Sequence, residues 1–140
     1  MKILFDTNVH VSDAIHGGGA TRAITATLNA RWKVFVCPTI LTELERVIRT
    51  KFNRSQSFAN ATVQTLRDVS EVADEPMTRH HVPGDPDDTP ILRAAMAAGV
   101  DYLVTGDAKL LAVSPMGGVR IITLAEYLHV LQSHGFAQDY

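Results

Sequence analysis

The sequence predicts an α/β fold, a three-layer α/β/α sandwich with a central parallel sheet. Short apolar runs alternate along the chain with longer segments whose apolar residues recur at helical spacing. The apolar runs are continuous, as expected of strands that are buried on both faces by helices. With 140 residues, no internal repeat and no low-complexity linker, the chain is expected to form one domain over residues 1–140.

The amino-acid composition indicates a globular protein without a membrane-spanning segment. Hydrophobic residues make up 46% of the chain and charged residues 20%, and no apolar run approaches the roughly 20 residues that span a bilayer. No export signal is recognisable, so we expect a cytoplasmic protein without membrane contact. Cys37 is the single cysteine and follows an apolar run, which favours a buried, reduced thiol. The net charge of −2 argues against broad electrostatic binding of nucleic acid, although bound divalent cations can still hold a phosphate.

The first half of the chain is expected to alternate strands and helices. Gly17–Gly19 reads as a flexible break, and His10 stands where the helix after the first strand should carry an apolar residue. Pro38 ends the second strand, and Thr39 is expected to cap the next helix. The predicted elements are strands at Ile3–Phe5 and Lys33–Cys37, helices at Ala20–Ala30 and from Thr39 to about Phe52, and a helix that starts at Ser55 or Ser57 and stops at Asp74–Pro76.

The second half continues the alternation. Met77–Val82 reads as a short edge strand or a plain connection, and Thr123 with Glu126 forms a capping box. The predicted elements are a helix that follows an acidic turn and ends near Gly99, a strand at Tyr102–Thr105, a short helical turn at Lys109–Leu111, a strand at Val119–Ile122, and a final helix that frays from Ser133 onward.

Two aspartates follow predicted strands at their carboxyl ends. Asp6 comes directly after the first strand, and Asp107 follows Thr105 and Gly106 after the fourth. Ligands of open α/β sheets bind outside the carboxyl ends of the strands, so both side chains are candidates for a reactive site. The alternative for Asp6 is that it only starts a turn or caps the next helix.

Two further acids lie at the inner faces of helices. Glu43 borders the apolar stripe of its helix, and Asp88 precedes Ile91 and Leu92 by three and four positions, so it extends their inward face. The alternatives are that Glu43 is a surface residue flanking the core and that Asp88 caps its helix. The stripe beside Glu43 consists of Ile40, Leu41, Leu44, Val47 and Ile48.

These four carboxylates can converge at one rim of the sheet. Without a counter-charge they would repel and raise one another's pKa values. A hard divalent cation with a preference for oxygen ligands, Mg²⁺ or Mn²⁺, resolves that repulsion and can activate water and orient a phosphodiester. No Ser-His-Asp order and no phosphate-binding Gly-rich loop with a following lysine competes for the site.

The chain resembles the PIN-domain ribonucleases, in particular the VapC-like toxin components of bacterial toxin–antitoxin pairs. Each matching motif is short, but the set occurs in the family's order over nearly the whole length. The matching segments are Leu4–Val9, Pro38–Leu44, Asp85–Asp88 before Ile91–Leu92, Leu103–Asp107 before Leu110–Leu111, and Val119–Thr123.

The resemblance implies site residues at the matching positions. It makes catalytic acids of Asp6, Glu43, Asp88 and Asp107, and metal ligands for Mg²⁺ or Mn²⁺ of Asp6, Asp88 and Asp107. Hydrogen bonds from Thr7, Asn8 and Thr105 are expected to orient these ligands. Asp87 is an alternative to Asp88, because three acids share that turn, although the helical phase favours Asp88.

The resemblance also implies an activity and partners. We expect a metal-dependent endoribonuclease in which water attacks an RNA phosphodiester and leaves a 5′-phosphate and a 3′-hydroxyl. A protein antitoxin and a homodimer or higher homo-oligomer are the expected assemblies. Candidate contacts to the RNA backbone are Arg22, Arg46, Arg49 and Lys109.

Two other functions fit parts of the pattern. A phosphatase of the haloacid-dehalogenase type also begins with a strand that ends in Asp, but it needs a second Asp two residues later, where this chain has Asn8. A catalytically silent PIN-like module could bind RNA or an antitoxin without cleavage. The complete set of four acids argues against that second reading, since a pure binding module has no reason to keep like charges together.

Overall fold

The computed structural model describes residues 1–76 and 89–136, which form a three-layer α/β/α sandwich. All strand pairs in these residues are parallel. The strands are β1 (Lys2–Phe5), β2 (Lys33–Val36), β3 (Glu71–Val72), β4 (Tyr102–Val104) and β5 (Arg120–Ile122). The helices are α1 (Thr7–Ile15), α2 (Gly18–Asn29), α3 (Pro38–Thr50), α4 (Gln56–Val69), α5 (Pro90–Ala98), α6 (Ala108–Ala112) and α7 (Leu124–Ser133).

The order of the strands places a switch point beside β1. The sheet runs β3-β2-β1-β4-β5, so the chain builds outward from β1 in one direction and then crosses to the other side. Leu4 pairs with Phe35 of β2 on one side and with Leu103 of β4 on the other. Ligands of doubly wound sheets bind where the order reverses, outside the carboxyl ends of the strands. A ligand site is therefore expected at the carboxyl ends of β1 and β4.

Alternate residues of each strand face opposite layers of helices. Ile3 and Phe5 are fully buried in a core that they share with α2 and α7, whereas Leu4 lies in the core that α3, α4 and α5 cover. Helix α1 contacts both cores, because Val9 belongs to the first and Val11 packs against the second. This double packing fixes α1 at the carboxyl end of β1.

Several predicted boundaries were wrong. Helix α2 begins at Gly18, two residues before the prediction, because the break is confined to Gly17 and Gly18 with φ values of 73° and 57°. Helix α4 ends at Val69, before Asp74. The next residues, Glu71 and Val72, form the edge strand β3, which was not predicted because both side chains are exposed and carry no apolar pattern.

The expected cap of α3 was also wrong. Cys37 is the N-cap and Pro38 the first helical residue, a position where proline's missing N–H loses no hydrogen bond. The backbone N–H and the hydroxyl of Thr39 both donate to the carboxylate of Glu75, at 2.7 and 2.9 Å. Burial of Cys37 is confirmed and raises the pKa of its thiol to about 12.

Part of the acidic turn lies outside the described residues. This applies to Met77–Val82, Asp85, Asp87 and Asp88, so their expected roles stay predictions. The N-cap of α5 is Thr89, whose hydroxyl accepts from Leu92 N–H at 3.2 Å. In the described part of the chain, no helix is long and apolar enough to cross a membrane.

Candidate active site

Asp6 is held rigidly at the carboxyl end of β1. Its backbone N–H donates to Val104 of β4 at 2.9 Å, so the sheet ladder continues to this residue. One carboxylate oxygen, Oδ1, accepts from the N–H of Thr7 at 2.7 Å, and Oδ2 accepts from the hydroxyl of Thr105 at 2.7 Å. Asp6 caps α1, as the alternative reading proposed, but its second oxygen is oriented by a residue from another strand.

The pKa of Asp6 is raised above its ordinary value. Burial is the largest cause, since only 8% of the residue is exposed, and the negative charges of Glu43 and Asp107 act in the same direction. The hydrogen bonds from Thr105 and Thr7 oppose the shift. The carboxylate therefore lies close enough to two other acids to feel their charge.

Glu43 reaches this position from α3. The hydroxyl of Thr7 donates to Glu43 Oε2 at 2.7 Å, while the N–H of the same threonine binds Asp6. Glu43 is half-buried, at the margin of the buried face formed by Leu44 and its neighbours. Thr7 thus joins two carboxylates that come from different elements.

Asp107 stands beside Asp6 at the end of β4. Its backbone N–H donates to the Thr105 hydroxyl at 3.0 Å, and the same hydroxyl donates to Asp6. Its carboxylate caps the short helix α6 by accepting from Lys109 N–H at 2.9 Å. Asp107 is exposed, in contrast to Asp6. The buried Thr105 hydroxyl is therefore the link between these two acids.

The three carboxylates line one pocket of about 400 Å³. Its other lining residues are Thr7, Asn8, Val11, Val47, Lys51 and Phe52. Asn8 is exposed on the first turn of α1 and lies close to Gly106, where an added Cβ would stand 3.0 Å from the Asn8 amide nitrogen. Glycine at position 106 is what allows the amide to lie against this loop.

The donor set fits a hard divalent cation. All the acidic donors are carboxylate oxygens. Burial is the main cause of the raised pKa of Asp6, and the charges of Glu43 and Asp107 add to it. Within residues 1–76 and 89–136, no three His, Cys, Asp or Glu side chains are close enough together to hold a metal ion by themselves. The carboxylates share a pocket without forming a closed ligand cage, and the predicted ligand Asp88 lies outside these residues.

A family model of the PIN domain matches residues 2–109. The chain belongs to the PIN domain family. The match runs from β1 through Asp107 and includes the whole of the pocket described above. Beyond it, β5 extends the sheet next to β4 and α7 covers one core. A comparison with curated protein sequences gave no match.

Solved structures share the PIN fold. PAE2754 from Pyrobaculum aerophilum superposes with a TM-score of 0.64 at 19% identity, over 95% of this chain and 90% of that chain. VapBC2 from Rickettsia felis, bound to a DNA fragment from their promoter, gives a TM-score of 0.62 at 13% identity, over 88% of this chain and 98% of that chain. These similarities confirm the predicted three-layer α/β/α fold.

The cations predicted to contact RNA lie outside the pocket lining of this PIN domain. Arg49 pairs with Glu45 at 2.7 Å on the exposed face of α3, and Arg46 is exposed on the same helix. Arg22 lies on α2, and Lys109 is exposed beside Asp107. In the described part of the chain, the pocket lining includes none of these four and does include Lys51.

Sequence reasoning missed Phe52, which lines the pocket, and Gly106 at its rim. Lys51 also lines the pocket. It belongs to a basic cluster at the end of α3, with Arg46, Arg49 and Arg54, for which the sequence favoured a solvated helix end over a phosphate contact. Gly106 could have been found from its position between Thr105 and Asp107, because glycine at a strand end often permits close approach of another group.

Proposed function

We propose that this PIN domain is a metal-dependent endoribonuclease that hydrolyses RNA phosphodiester bonds. Its catalytic acids are Asp6, Glu43, Asp88 and Asp107, of which Asp6, Asp88 and Asp107 hold Mg²⁺ or Mn²⁺. PIN domains are generally nucleases, and the family match supports a hydrolase acting on nucleic acid. The proposal is more specific than that match in its substrate, its metal and its residues.

One observation carries the proposal. A continuous hydrogen-bonded path runs from Glu43 through Thr7 to Asp6, and from Asp6 through Thr105 to the backbone of Asp107. Neutral hydroxyls thereby hold like-charged groups at the switch point of the sheet. A fold gains nothing in stability from gathering carboxylates in this way, because burial disfavours the charged form of Asp6 and the charges of Glu43 and Asp107 add to that cost. A bound cation would offset these negative charges, and the arrangement therefore supports a metal-binding role.

The polar residues of the pocket have separate roles in the proposed hydrolysis. When bound, divalent ions supply positive charge that activates water, orients the phosphodiester and stabilises the leaving oxygen. Thr7 fixes Glu43 and Asp6 relative to each other, and Thr105 fixes Asp6 relative to Asp107. Asn8, exposed at the pocket, presents its amide to the substrate or to a ligand. The products are a 5′-phosphate and a 3′-hydroxyl.

We also propose that this domain is the toxin component of a toxin–antitoxin pair. The similar fold of the VapBC2 complex from Rickettsia felis supports a protein antitoxin as a partner. A homodimer or higher homo-oligomer is part of the same proposal. The RNA backbone contacts of Arg22, Arg46, Arg49 and Lys109 belong to it as well, and they are compatible with the net charge of −2 if cations in the pocket carry most of the phosphate binding.

The test is cleavage of single-stranded RNA during a titration with Mg²⁺ or Mn²⁺. We expect the natural chain to cleave only with metal, and Asp6→Asn to lose activity while remaining folded. Asp101→Asn is the matched control, since Asp101 precedes β4 and lies at the opposite end of the sheet, where its carboxylate accepts from Lys2 N–H at 2.8 Å. Equal cleavage by Asp6→Asn and the natural chain would show that the site is misplaced.

The same titration addresses the other readings. A catalytically silent PIN-like module would bind RNA or an antitoxin and show no metal-dependent cleavage. A phosphatase would hydrolyse a generic phosphoester instead of RNA. Membership of the PIN domain family argues against the phosphatase, and Asn8 stands where that chemistry needs a second aspartate.

A further inference from the structure

The pocket has two unlike halves. One half is the carboxylate cluster, and the other is an apolar wall formed by Val11 of α1, Val47 of α3 and Phe52 just beyond α3. Lys51 is the cation among the described lining residues. In the proposed function, metal and phosphate use the polar half, which leaves the apolar wall with its aromatic ring to contact a different part of a ligand.

The path of the chain at the end of α3 determines the position of Phe52 in the apolar wall. Helix α3 ends at Thr50, and the N–H of Lys51 still donates to Val47 O at 2.9 Å, so Lys51 continues the helical path. Asn53 then turns the chain with a φ of 51°, a left-handed conformation that asparagine tolerates. The N–H of Arg54 closes this turn on Ile48 O at 3.2 Å.

Phe52 is fixed by contact with the end of α1. Its ring meets the His16 ring edge-to-face, with centroids 6.0 Å apart. Phe52 is half-buried and lines the same pocket as the three carboxylates, so part of the residue is exposed in that pocket. An aromatic ring that is held on one side and open on the other is the arrangement on which proteins stack the bases of single strands.

We propose that Phe52 stacks the nucleobase adjacent to the scissile phosphate and that Lys51 contacts a neighbouring backbone phosphate. The inference rests on the proposed function and deepens it, because it defines the substrate as a single strand with at least one unstacked base. A base is uncharged and can lie beside carboxylates without repulsion, whereas a phosphate there requires Lys51 or a bound cation. A duplex does not offer the required base face.

The experiment is a double-mutant cycle that combines a change in the protein, Phe52→Ala, with the removal of one base from the RNA. The cleavage position of one short single-stranded RNA is mapped, and an abasic nucleotide is then moved along that RNA. Binding is measured by fluorescence anisotropy in the Asp6→Asn background, where the RNA stays intact. We expect the abasic nucleotide at one position beside the scissile bond to weaken binding about tenfold. After Phe52→Ala is added, the same abasic substitution should have no further effect.

Matched variants separate stacking from packing. Phe52→Tyr should keep the discrimination between base and abasic site, whereas Phe52→Leu, which retains apolar contact with His16, should lose it. Phe58→Ala removes another exposed ring, one that lies on α4 and lines a different cavity, and should behave as the parent. The proposal is overturned if every abasic position weakens binding equally with and without Phe52.

Lys51 is tested by salt dependence. Lys51→Met should reduce the slope of log affinity against log salt by about 0.7, the value expected for one phosphate contact to a single strand. Lys33→Met, at the start of β2 on the opposite end of the sheet, should leave the slope unchanged. An unchanged slope in Lys51→Met contradicts the phosphate contact.

Failure of this inference is distinct from failure of the proposed function. If the natural chain cleaves RNA but Phe52 shows no coupling to any base, the ribonuclease stands and the stacking role is wrong. If no RNA is cleaved, the ribonuclease is wrong, and the binding cycle with an abasic nucleotide at every position still decides whether Phe52 contacts a base.

Discussion

The hydroxyl of Thr105 donates to Asp6 Oδ2 at 2.7 Å, joining residues that are 99 positions apart in the chain. The same oxygen accepts the N–H of Asp107 at 3.0 Å. Thr105 is buried at the carboxyl end of β4, where its own N–H continues the sheet ladder to Ile122. One neutral side chain is therefore hydrogen-bonded both to the carboxylate of Asp6 and to the backbone of Asp107 at the switch point of the sheet.

Removing that hydroxyl should impair the site more than the fold. Thr105→Val leaves Asp6 without one donor and the Asp107 N–H without its acceptor, so we expect cleavage to fall about 10- to 100-fold and stability by about 1–3 kcal/mol. Thr105→Ser should retain both bonds and most of the activity. The measurements are steady-state cleavage and thermal unfolding.

A buried threonine elsewhere provides the control for Thr105. Thr27 donates to Ala23 O at 2.7 Å and contacts the hydroxyl of Tyr127 in the other core layer. Thr27→Val should destabilise the protein and leave cleavage per folded molecule unchanged. A Thr105→Val protein that cleaves as fast as Thr27→Val would contradict the positioning role.

The carboxylate cluster should make the metal-free protein less stable than it could be. Asp6→Asn removes a buried charge that Glu43 and Asp107 repel, so we expect its melting temperature without metal to equal or exceed that of the natural chain. Adding Mn²⁺ should stabilise the natural chain, since a ligand that binds only the folded state raises stability by mass action, and it should stabilise Asp6→Asn much less. Differential scanning fluorimetry checks both; equal stabilisation of the two proteins counts against Asp6 as a ligand.

His10 should make stability depend on pH. The residue is buried at 3% exposure, its Nε2 has no hydrogen-bond partner among residues 1–76 and 89–136, and burial lowers its pKa to about 4 from an ordinary value of 6.5. The unfolded chain therefore binds a proton at His10 more readily than the folded chain does. As a result, His10 costs no free energy of unfolding above about pH 6.5, where stability is at its full value. It should fall by about 3 kcal/mol as the pH drops toward 4.

Replacing His10 tests that dependence. His10→Leu should flatten the stability curve between pH 6.5 and 4 and should raise stability at low pH, as measured by urea unfolding. His129, which is exposed on α7, offers the control variant His129→Asn, whose curve should follow that of the natural chain. A curve that keeps its slope in His10→Leu would assign the pH dependence to other groups.

Substitutions of Gly106 and Asn8 should have non-additive effects on cleavage. A Cβ at position 106 would stand 3.0 Å from the Asn8 amide nitrogen, so Gly106→Ala should displace that amide and lower cleavage with little effect on folding. In the Asn8→Ala background the amide is absent, and Gly106→Ala should then have almost no additional effect. Purely additive losses in the double variant would mean that the two residues act independently.

The sequence allowed four of the five strands, most helices and the meeting of Asp6, Glu43 and Asp107 to be predicted for identifiable physical reasons. Buried strands and apolar stripes leave strong local patterns, so Asp6 and Asp107 could be placed at strand ends and Glu43 at the margin of a stripe. His10 stands at a position where an apolar residue was expected, and its ring is buried there, edge-to-face with the Phe5 ring at 5.9 Å.

What could not be predicted depends on tertiary contacts. Strand β3 forms because it can pair with β2, and the first turn of α3 is hydrogen-bonded by Glu75, which is 36 positions from Thr39. The double role of Thr105 and the position of Phe52 on the pocket wall arise in the same way, from elements that meet only in the folded chain. Local propensity carries no information on such contacts.

The most direct test of the central claim is a crystal structure of the natural chain soaked in Mn²⁺, with anomalous scattering used to locate the ion. We predict an anomalous peak in the pocket within about 2.0–2.2 Å of carboxylate oxygens of Asp6 and Asp107. The same map would show whether Asp87 or Asp88 completes the ligands. A well-occupied Mn²⁺ elsewhere on the protein, with none between Asp6 and Asp107, would contradict the account.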